Sequence, residues 1–378
     1  MLVVVAPGQG SQAPGFLEPW LTIPRVHDRL RWLSAAAGID LITHGTVSDA
    51  DTIKDTAIAQ PLLVAAGMVS LLEIFPHPSE AYQRIGAGAG HSVGEITLAG
   101  ASGIMSAEQA MIFVRERGRA MAAAAASTAT GMTAVLGGDA DEVIAHLESM
   151  GITAANINGA GQIVAAGTIE QLDALDANPP AGARLRRLQV AGAFHTHHMD
   201  PAVNVLRDYV RAIITHDARV PLISNADGQI VRNGRDYLTR LVTQVSNPVR
   251  WDLCMETMRD MGVTAILELP PAGTLAGLAK RALPDVEIVT VKTPDDLDAA
   301  KDLIERHGNR AESAEEPTWR LVVAPAKGTF RRASDNTEFS AGDVIGAIVS
   351  LRDTIDIVTP HSGVVVEWLA SDGDPVNP

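Results

Sequence analysis

One short motif restricts the fold more than any other feature of the sequence: Gly90-His91-Ser92-Val93-Gly94. A largely apolar segment precedes it, and we interpret residues 82–88 as the strand that leads into the motif. Glycines two residues before and after a serine allow the backbone to make a strained turn from a strand into a helix. Such a turn exposes the serine hydroxyl, and the N-terminus of the following helix stabilises negative charge beside it. The motif predicts an α/β fold and makes Ser92 a candidate nucleophile.

Other parts of the chain repeat the order of strand, turn and helix. Residues 2–6 are a short continuous apolar run, typical of a strand covered on both faces, and they end in the turn Pro7-Gly8-Gln9-Gly10-Ser11-Gln12. A helix is predicted over residues 56–73, and Ser106 with Gln109 forms a capping box for another helix of about five turns. This alternation predicts a mostly parallel α/β sheet.

From Gly131 the order of predicted elements becomes strand, helix, strand, strand, helix, strand. That order is the split βαβ, or ferredoxin-like, arrangement. Because α/β alternation resumes afterwards, we interpret residues 128–193 as a ferredoxin-like subdomain inserted between residues 1–127 and 194–307. The polar residues 308–317 are interpreted as a linker to a C-terminal unit, residues 318–378.

A weak internal repeat marks the C-terminal unit. Ala324-Pro325-Ala326-Lys327-Gly328 is followed by Gly342-Asp343, and Thr359-Pro360-His361-Ser362-Gly363 is followed by Gly373-Asp374. Two matching halves of short strands predict a small all-β unit with pseudo-twofold symmetry.

The composition of the chain limits the kinds of molecule that it is expected to bind. The formal net charge of −15 argues against a nucleic-acid-binding protein, which needs a basic face. The single cysteine, Cys254, excludes an intramolecular disulfide and a multi-cysteine metal site. The N-terminus lacks the pattern of a signal peptide, and the uncharged residues 120–138 are rich in Ala and Gly rather than Leu and Ile. We therefore expect a cytoplasmic protein that binds neither nucleic acid nor membrane.

A nucleophilic serine needs a base, and Phe194-His195-Thr196-His197-His198 offers three imidazoles. The alternative is a zinc site, but Asp200 is the only further ligand at a helpful spacing, so we predict no metal. No carboxylate between Ser92 and His195 stands out as the acid that orients the histidine, which argues against a standard serine hydrolase. Arg117 is either a residue whose stem covers the core or a buried cation that binds an anion.

Several further motifs agree in order and spacing with one family. They are Pro7-Gly8-Gln9-Gly10-Ser11-Gln12, Ala59-Gln60-Pro61, Gly90-His91-Ser92-Val93-Gly94-Glu95, Arg117-Gly118 with Met121, Asn156-x-Asn158 with Gly161-Gln162, Phe194-His195 with Met199-x-Pro201, and Asn247-Pro248-Val249. On these motifs, from residue 3 or so to residue 300, the chain resembles the malonyl-CoA:acyl carrier protein transacylases of fatty acid synthesis and the acyltransferase domains of polyketide synthases.

The resemblance implies a hydrolase-like parallel-sheet subdomain made of residues 1–127 and 194–307. It implies a ping-pong reaction in which malonyl passes from coenzyme A, through an acyl-serine at Ser92, to the phosphopantetheine thiol of an acyl carrier protein. The base would be His195, and the N–H groups of Gln9 and Val93 would form the oxyanion hole. Malonyl-CoA is then a substrate, and no cofactor is implied.

The resemblance also implies a substrate-binding set. Arg117 would bind the free carboxylate of malonate, for which a planar guanidinium suits better than an ammonium group. The other members would be Gln60, Met121, Asn158 and Phe194. In this family a backbone carbonyl orients the histidine in place of an acid, and we place it within residues 247–250, at Arg250. Two departures are Arg250, where some relatives have Gln, and Leu269-Pro270-Pro271-Ala272-Gly273, where relatives have a Gly-Pro-Gly turn.

The C-terminal unit resembles biotinyl and lipoyl carrier domains, which are small barrel-sandwich folds. Their modified lysine lies in a hairpin that here reads Ser350-Leu351-Arg352-Asp353-Thr354. Because Arg352 replaces the lysine, we expect an unmodified unit, and we expect it to be incomplete at its end. Two alternatives to the transferase remain open: a thioesterase or other serine hydrolase, and a catalytically idle scaffold that binds the carrier protein.

Overall fold

The computed structural model describes residues 1–190, 192–308, 322–334, 336–350, 353–360, 362–365 and 367–377. It divides into two compact units, Met1–Ala311 and Glu312–Pro378. The strands of the larger unit are β1 (Leu2–Ala6), β2 (Ala87–Gly90), β3 (Thr130–Gly137), β4 (Thr153–Gly159), β5 (Gln162–Thr168), β6 (Ala183–Arg187), β7 (Leu222–Ile223), β8 (Ile230–Val231), β9 (Val249–Arg250), β10 (Ala265–Glu268) and β11 (Glu287–Thr290).

The α-helices of this unit are α1 (Pro24–Ala37), α2 (Leu41–Thr46), α3 (Ala50–Ile53), α4 (Thr56–Ile74), α5 (Pro78–Arg84), α6 (Gly94–Ala101), α7 (Ala107–Ser127), α8 (Ala140–Ser149), α9 (Ile169–Ala177), α10 (Asp200–Tyr209), α11 (Gly234–Thr243), α12 (Trp251–Asp260), α13 (Thr274–Ala282) and α14 (Leu297–His307). The predicted capping box is confirmed: Ser106 and Gln109 each bond the other's backbone at the start of α7.

A six-stranded sheet in the order β11-β10-β1-β2-β7-β8 forms the first core. All its neighbouring strands run parallel except β7 and β8, which are antiparallel. Every residue of β1 is buried, because apolar residues cover both faces of a central strand. The predicted α/β fold with a mostly parallel sheet is therefore confirmed.

A second sheet has the order β6-β3-β5-β4-β9. Its first four strands pair antiparallel, and β9 joins β4 in parallel. Apolar residues of α8 and α9 pack with those of the strands into a separate core. Met132, Ala155, Val164 and Ala166 of this sheet pack in the main core, and β9 leads directly into α12.

The prediction of a strand over residues 82–88 is wrong. Pro78 and Glu80 instead begin the short helix α5, where a proline in the first turn and an acidic side chain favour a helix start. The strand before the motif is β2, which contains only Ala and Gly. Small residues are needed there, because a Cβ on Gly88 would lie 2.9 Å from Leu98 and 3.0 Å from Leu222.

Helix α4 is long and apolar enough to cross a membrane. However, 83% of that apolar stretch is buried, and α4 packs against α6 and α7. A helix that is apolar on all sides is typical of the core of a large unit.

The described part of the smaller unit contains the strands β12 (Gly328–Arg332), β13 (Glu338–Phe339), β14 (Val344–Val349), β15 (Thr354–Val358), β16 (Gly363–Val364) and β17 (Pro375–Val376). They form an antiparallel sheet in the order β15-β14-β12-β17 and a pair of β13 with β16. Its buried core is Phe330, Ile345, Ile348 and Ile357. Arg352 lies outside the described residues, as does the predicted linker after Gly308.

Candidate active site

Ser92 lies at the turn between β2 and α6, as the glycine pattern predicts. Its φ of +52° is in the left-handed region, which is strained for a residue with a side chain. The two glycines allow the close packing of this turn. A Cβ on Gly90 would overlap the backbone of Gly94, and a Cβ on Gly94 would overlap the carbonyl of Ala6.

His195 is the imidazole that reaches the serine. The Ser92 hydroxyl donates to its Nε2 over 2.8 Å, and its Nδ1 lies 2.7 Å from the backbone carbonyl of Gln244. Because a carbonyl can only accept, Nδ1 carries the proton, and Nε2 is left as the acceptor for the hydroxyl. This is the arrangement of a serine and its general base.

The prediction that Arg250 supplies the orienting carbonyl is wrong. The carbonyl belongs to Gln244, the first residue of a 3₁₀ turn that follows α11. Arg250 is held elsewhere, because it pairs with β4, donates its N–H to Asn225 and forms a bidentate ion pair with Asp252. The backbone of Asn247, within the predicted segment, acts to raise the pKa of the imidazole.

The environment keeps His195 neutral. Its side chain is buried, with 3% of the residue exposed. Burial lowers the pKa of His195 to about 3, the positive charge of Arg117 acts in the same direction, and the Gln244 carbonyl opposes both. A neutral imidazole is the form that can take a proton from Ser92.

Arg117 is a buried cation rather than a residue that covers the core, since only 1% of it is exposed. Its Nη1 donates to the side-chain oxygen of Gln60 over 2.7 Å, and its Nη2 donates to that of Gln244 over 2.8 Å. Nη2 also lies 3.4 Å from Ser92 Oγ. Burial lowers the pKa of Arg117 to about 10, so the guanidinium remains charged at neutral pH. Two neutral amides thus orient this cation without neutralising it.

Three buried polar residues support the site and were missed by sequence reasoning. Glu95 accepts from the Gln244 side chain over 2.5 Å and from the Asn225 N–H over 2.7 Å. Asn225 in turn accepts from the Ser92 N–H over 2.8 Å and donates to the Gly90 carbonyl over 2.7 Å. A signal existed for Asn225, because it follows β7, and the ends of neighbouring parallel strands meet at one edge of a sheet.

The residues predicted for the oxyanion hole lie at the same turn. Val93 follows Ser92, and the segment with Gln9 passes against it, because a Cβ on Gly8 would lie 2.9 Å from His91. Among the described residues, the N–H groups of Gln9 and Val93 have no backbone or side-chain acceptor. The Gln9 side chain donates to Thr56 over 3.2 Å, which holds the segment in place.

The remaining predicted residues surround these groups. Gln60 donates to the Met121 sulfur over 3.4 Å, so both line the side of Arg117. Asn158 lies 2.9 Å from Nε2 of His91, the residue before the serine. Phe194 is buried directly before His195.

The described residues contain no group of three His, Cys, Asp or Glu side chains placed to hold a metal ion. His197 and His198 stack on each other with ring centres 4.1 Å apart. Cys254 is buried, and burial raises the pKa of its thiol well above the ordinary value, which makes it a poor nucleophile.

Comparison with known proteins is consistent with this geometry. A sequence model of the family described as "Acyl transferase domain" matches residues 3–300. The malonyl CoA-acyl carrier protein transacylase of Mycobacterium tuberculosis is 46% identical over 308 residues, which cover 80% of this chain and 100% of the relative. The enzyme of the same name from Escherichia coli K12 is 30% identical over 307 residues, or 79% of this chain and 98% of the relative.

Solved structures of similar fold carry the same kind of name. The crystal structure of MCAT from Mycobacterium tuberculosis superposes with a TM-score of 0.77 at 46% identity, covering 80% of this chain and 99% of that one. A complex of a type II PKS acyl carrier protein with its malonyl-transacylase gives a TM-score of 0.73 at 27% identity, with 80% and 99% covered.

Proposed function

The chain belongs to the acyl transferase domain family, and we propose that it transfers malonyl from malonyl-CoA to the phosphopantetheine thiol of an acyl carrier protein. The transfer supplies extender units for fatty acid or polyketide synthesis. The observation that carries this function is the pairing of Ser92 with His195 beside a buried Arg117 that neutral amides orient.

In the first half-reaction His195 Nε2 takes the proton of Ser92, and Oγ attacks the thioester carbonyl. The tetrahedral oxyanion accepts hydrogen bonds from the N–H groups of Gln9 and Val93, which are available for it. The imidazolium formed is stabilised through Nδ1 by the Gln244 carbonyl. The intermediate collapses, His195 returns the proton to the thiolate of coenzyme A, and malonyl-Ser92 remains.

In the second half-reaction the carrier's thiol takes the place of coenzyme A. His195 removes its proton, the sulfur attacks the acyl-serine, and the same two N–H groups hold the oxyanion. Collapse returns the proton to Ser92 and leaves malonyl on the carrier. The mechanism needs no metal and no cofactor, since each proton travels only between Ser92, His195 and a thiol.

Arg117 gives the site its preference for an acyl group with a free carboxylate. Its cation is desolvated and close to Ser92, so a malonyl carboxylate can form charged hydrogen bonds with it. Gln60 holds one side of the guanidinium, and its NH₂ group donates to the Met121 sulfur. Asn158 supports the motif through His91, and the Phe194 ring limits the room beside the α-carbon of the acyl group.

We also propose how the chain is divided into subdomains. Strands in the order β6-β3-β5-β4 with α8 and α9 support a ferredoxin-like insert at residues 128–193 in a hydrolase-like subdomain. Antiparallel short strands support a barrel-sandwich unit at residues 318–378, without modification. We place the protein in the cytoplasm, as the sequence predicts.

A labelling experiment tests the function against both alternatives. Radiolabelled malonyl-CoA is added with and without acyl carrier protein, and label is followed on Ser92, on the carrier and in free malonate. We expect label on Ser92 that moves to the carrier, and none on a Ser92→Ala variant. Rapid release of malonate without carrier would indicate a thioesterase, and an unlabelled wild-type protein would indicate an idle scaffold.

A further inference from the structure

The mechanism above gives no role to Glu95, a buried ionisable group beside the site. Glu95 lies in the first turn of α6, only 1% exposed. Its Oε2 accepts from Nε2 of Gln244 over 2.5 Å, and its Oε1 accepts from the N–H of Asn225 over 2.7 Å. Burial raises the pKa of Glu95 to about 8, and the hydrogen bonds from Asn225 and Gln244 act in the opposite direction.

The bond to Glu95 fixes which way the Gln244 side chain faces together with a second bond, from the same NH₂ group to the Ser92 carbonyl over 3.1 Å. An amide group presents an acceptor on one side and two donors on the other. Both oxygens of Glu95 accept hydrogen bonds, so Glu95 binds the NH₂ group of Gln244 and leaves the amide oxygen of Gln244 facing Arg117, 2.8 Å from Nη2. In the reversed orientation NH₂ would face a guanidinium that has only donors, and the bond that orients Arg117 would be lost.

The same arrangement also places the Glu95 carboxyl group near Arg117 without an ion pair. Among the described residues Arg117 makes no salt bridge, because Gln244 separates it from Glu95. A carboxylate at the position of the Gln244 oxygen would bind the guanidinium directly and would compete with the carboxylate of a substrate. With a neutral amide between them, Arg117 keeps its charge for that substrate.

We propose that Glu95 is a positioning residue for malonyl recognition, which acts through the side chain of Gln244 to hold Arg117 with Nη2 beside Ser92. This inference rests on the proposed function, since it concerns how the carboxylate of the acyl group is recognised. Glu95 touches neither substrate nor reacting atoms. Because Glu95 also bonds Asn225, which holds Ser92, its role in recognition is measured by the ratio of the two acyl groups rather than by the rate with either one.

The test compares two acyl groups in three variants. Glu95→Gln, Gln244→Leu and the double variant are assayed for kcat/KM of Ser92 acylation by malonyl-CoA and by acetyl-CoA. Gln244→Leu removes the amide but retains the backbone carbonyl that orients His195. We expect each single variant to lower the ratio of malonyl to acetyl about tenfold or more, as for loss of a hydrogen bond to a charged group. If Glu95 acts through Gln244, the double variant loses no more than either single one.

A matched control separates this role from a general loss of stability. Glu73 is also a buried glutamate on a helix, but it pairs with Arg25 and Arg29 instead of the site. Glu73→Gln should lower the Tm and leave the malonyl to acetyl ratio unchanged. The proposal is overturned if Glu95→Gln or Gln244→Leu keeps the wild-type ratio, or if the two losses multiply in the double variant.

A crystal structure provides a second readout that does not depend on the substrate. In Glu95→Gln we expect Arg117 to move, so that Nη2 no longer lies 3.4 Å from Ser92 Oγ. An unmoved Arg117 refutes the role of Glu95. If Glu95→Gln does not fold, Gln244→Leu is judged by the same distance and the same ratio. A wild-type enzyme that does not prefer malonyl would refute the proposed function instead, and the crystal structure would still decide on Glu95.

Discussion

Replacing Arg117 with alanine should convert the enzyme from a malonyl transferase into a weak acetyl transferase. The guanidinium is desolvated and donates to Gln60 and Gln244, with Nη2 directed at Ser92. In the variant the carboxylate of the acyl group would be buried without a cation. Removing one partner of a buried, hydrogen-bonded charge pair costs about 2–5 kcal/mol. At about 1.36 kcal/mol for each factor of ten, kcat/KM for malonyl-CoA should fall about 30-fold to 5,000-fold.

Acetyl-CoA is the internal control, because its methyl group makes no charged contact with Arg117. Acetyl transfer should stay near the wild-type value or rise. Arg117→Lys should fall between wild type and Arg117→Ala, because one ammonium group lacks the fork that bonds both amides. Arg119→Ala is the matched control on the same helix, since that side chain is 57% exposed and should affect neither substrate.

The assay is acylation of Ser92 under single-turnover conditions with each thioester, followed by mass spectrometry of the protein. The same variant should also change the pH profile. The positive charge of Arg117 lowers the pKa of His195, so its loss should move the acidic limb of the acetyl reaction to higher pH. An equal fall with both thioesters would refute the reasoning, and would show that Arg117 supports the fold rather than the carboxylate.

The remaining predictions concern selectivity, pH and the C-terminal unit. Phe194→Ser should reduce the preference for malonyl over methylmalonyl, by about 5-fold to 150-fold for one methyl group; equal ratios of kcat/KM in the variant and the wild type would contradict it. Since the pKa of His195 is lowered to about 3, acylation at pH 5 should stay close to its rate at pH 7, whereas an ordinary imidazole would be only about 3% neutral at pH 5. The unfolded histidine binds its proton near pH 6.5, so its contribution to the free energy of unfolding is complete above that pH and is lost as the pH falls towards 3. Protein ending at residue 316 should stay soluble and transfer malonyl at the full rate, and the intact protein should have an unmodified mass; aggregation or lost activity would show that residues 317–378 belong to the enzyme's fold.

The parts of the site that could be predicted are those for which local geometry dictates a residue type. Gly90 and Gly94 are needed because a Cβ at either position would overlap the neighbouring backbone. The turn they form makes Ser92 recognisable from five residues. His195 and Arg117 have side chains that suit a general base and an anion-binding cation. Their motifs therefore predicted roles in the site although they lie far from Ser92 in the sequence. The structure brings His195 Nε2 to 2.8 Å and Arg117 Nη2 to 3.4 Å from Ser92 Oγ.

The strand before the motif shows how local patterns mislead. Residues 82–88 are partly apolar, but Pro78 and the acidic first turn begin a helix that uses residues up to Arg84. The strand itself, Ala87–Gly90, has no β-branched or aromatic residue. It is a strand because it lies between β1 and β7, where only small side chains fit, and that constraint comes from the tertiary structure.

The group that orients His195 has no signature in a sequence, because every residue carries a backbone carbonyl. The carbonyl of Gln244 does this 49 residues after the histidine, and the carbonyl of Val245 accepts the N–H of His195 over 3.1 Å. Two adjacent residues therefore fix both the ring and the backbone of His195. That backbone has a φ of +61°, which a residue with a side chain adopts only when its surroundings compensate the strain.

Residues distant in the sequence also hold the backbone of Ser92. Both catalytic residues therefore depend on one hydrogen-bond network. The strained backbone of Ser92 is fixed by Asn225, which bonds the serine N–H and the carbonyl of Gly90. Asn225 and Gln244 both bond Glu95, so the serine, the histidine and Arg117 are all supported through one buried carboxyl group. A motif can name the groups that react, because their chemistry restricts the residue type. It cannot place them, because amides and carbonyls that lie far apart in the chain determine their positions.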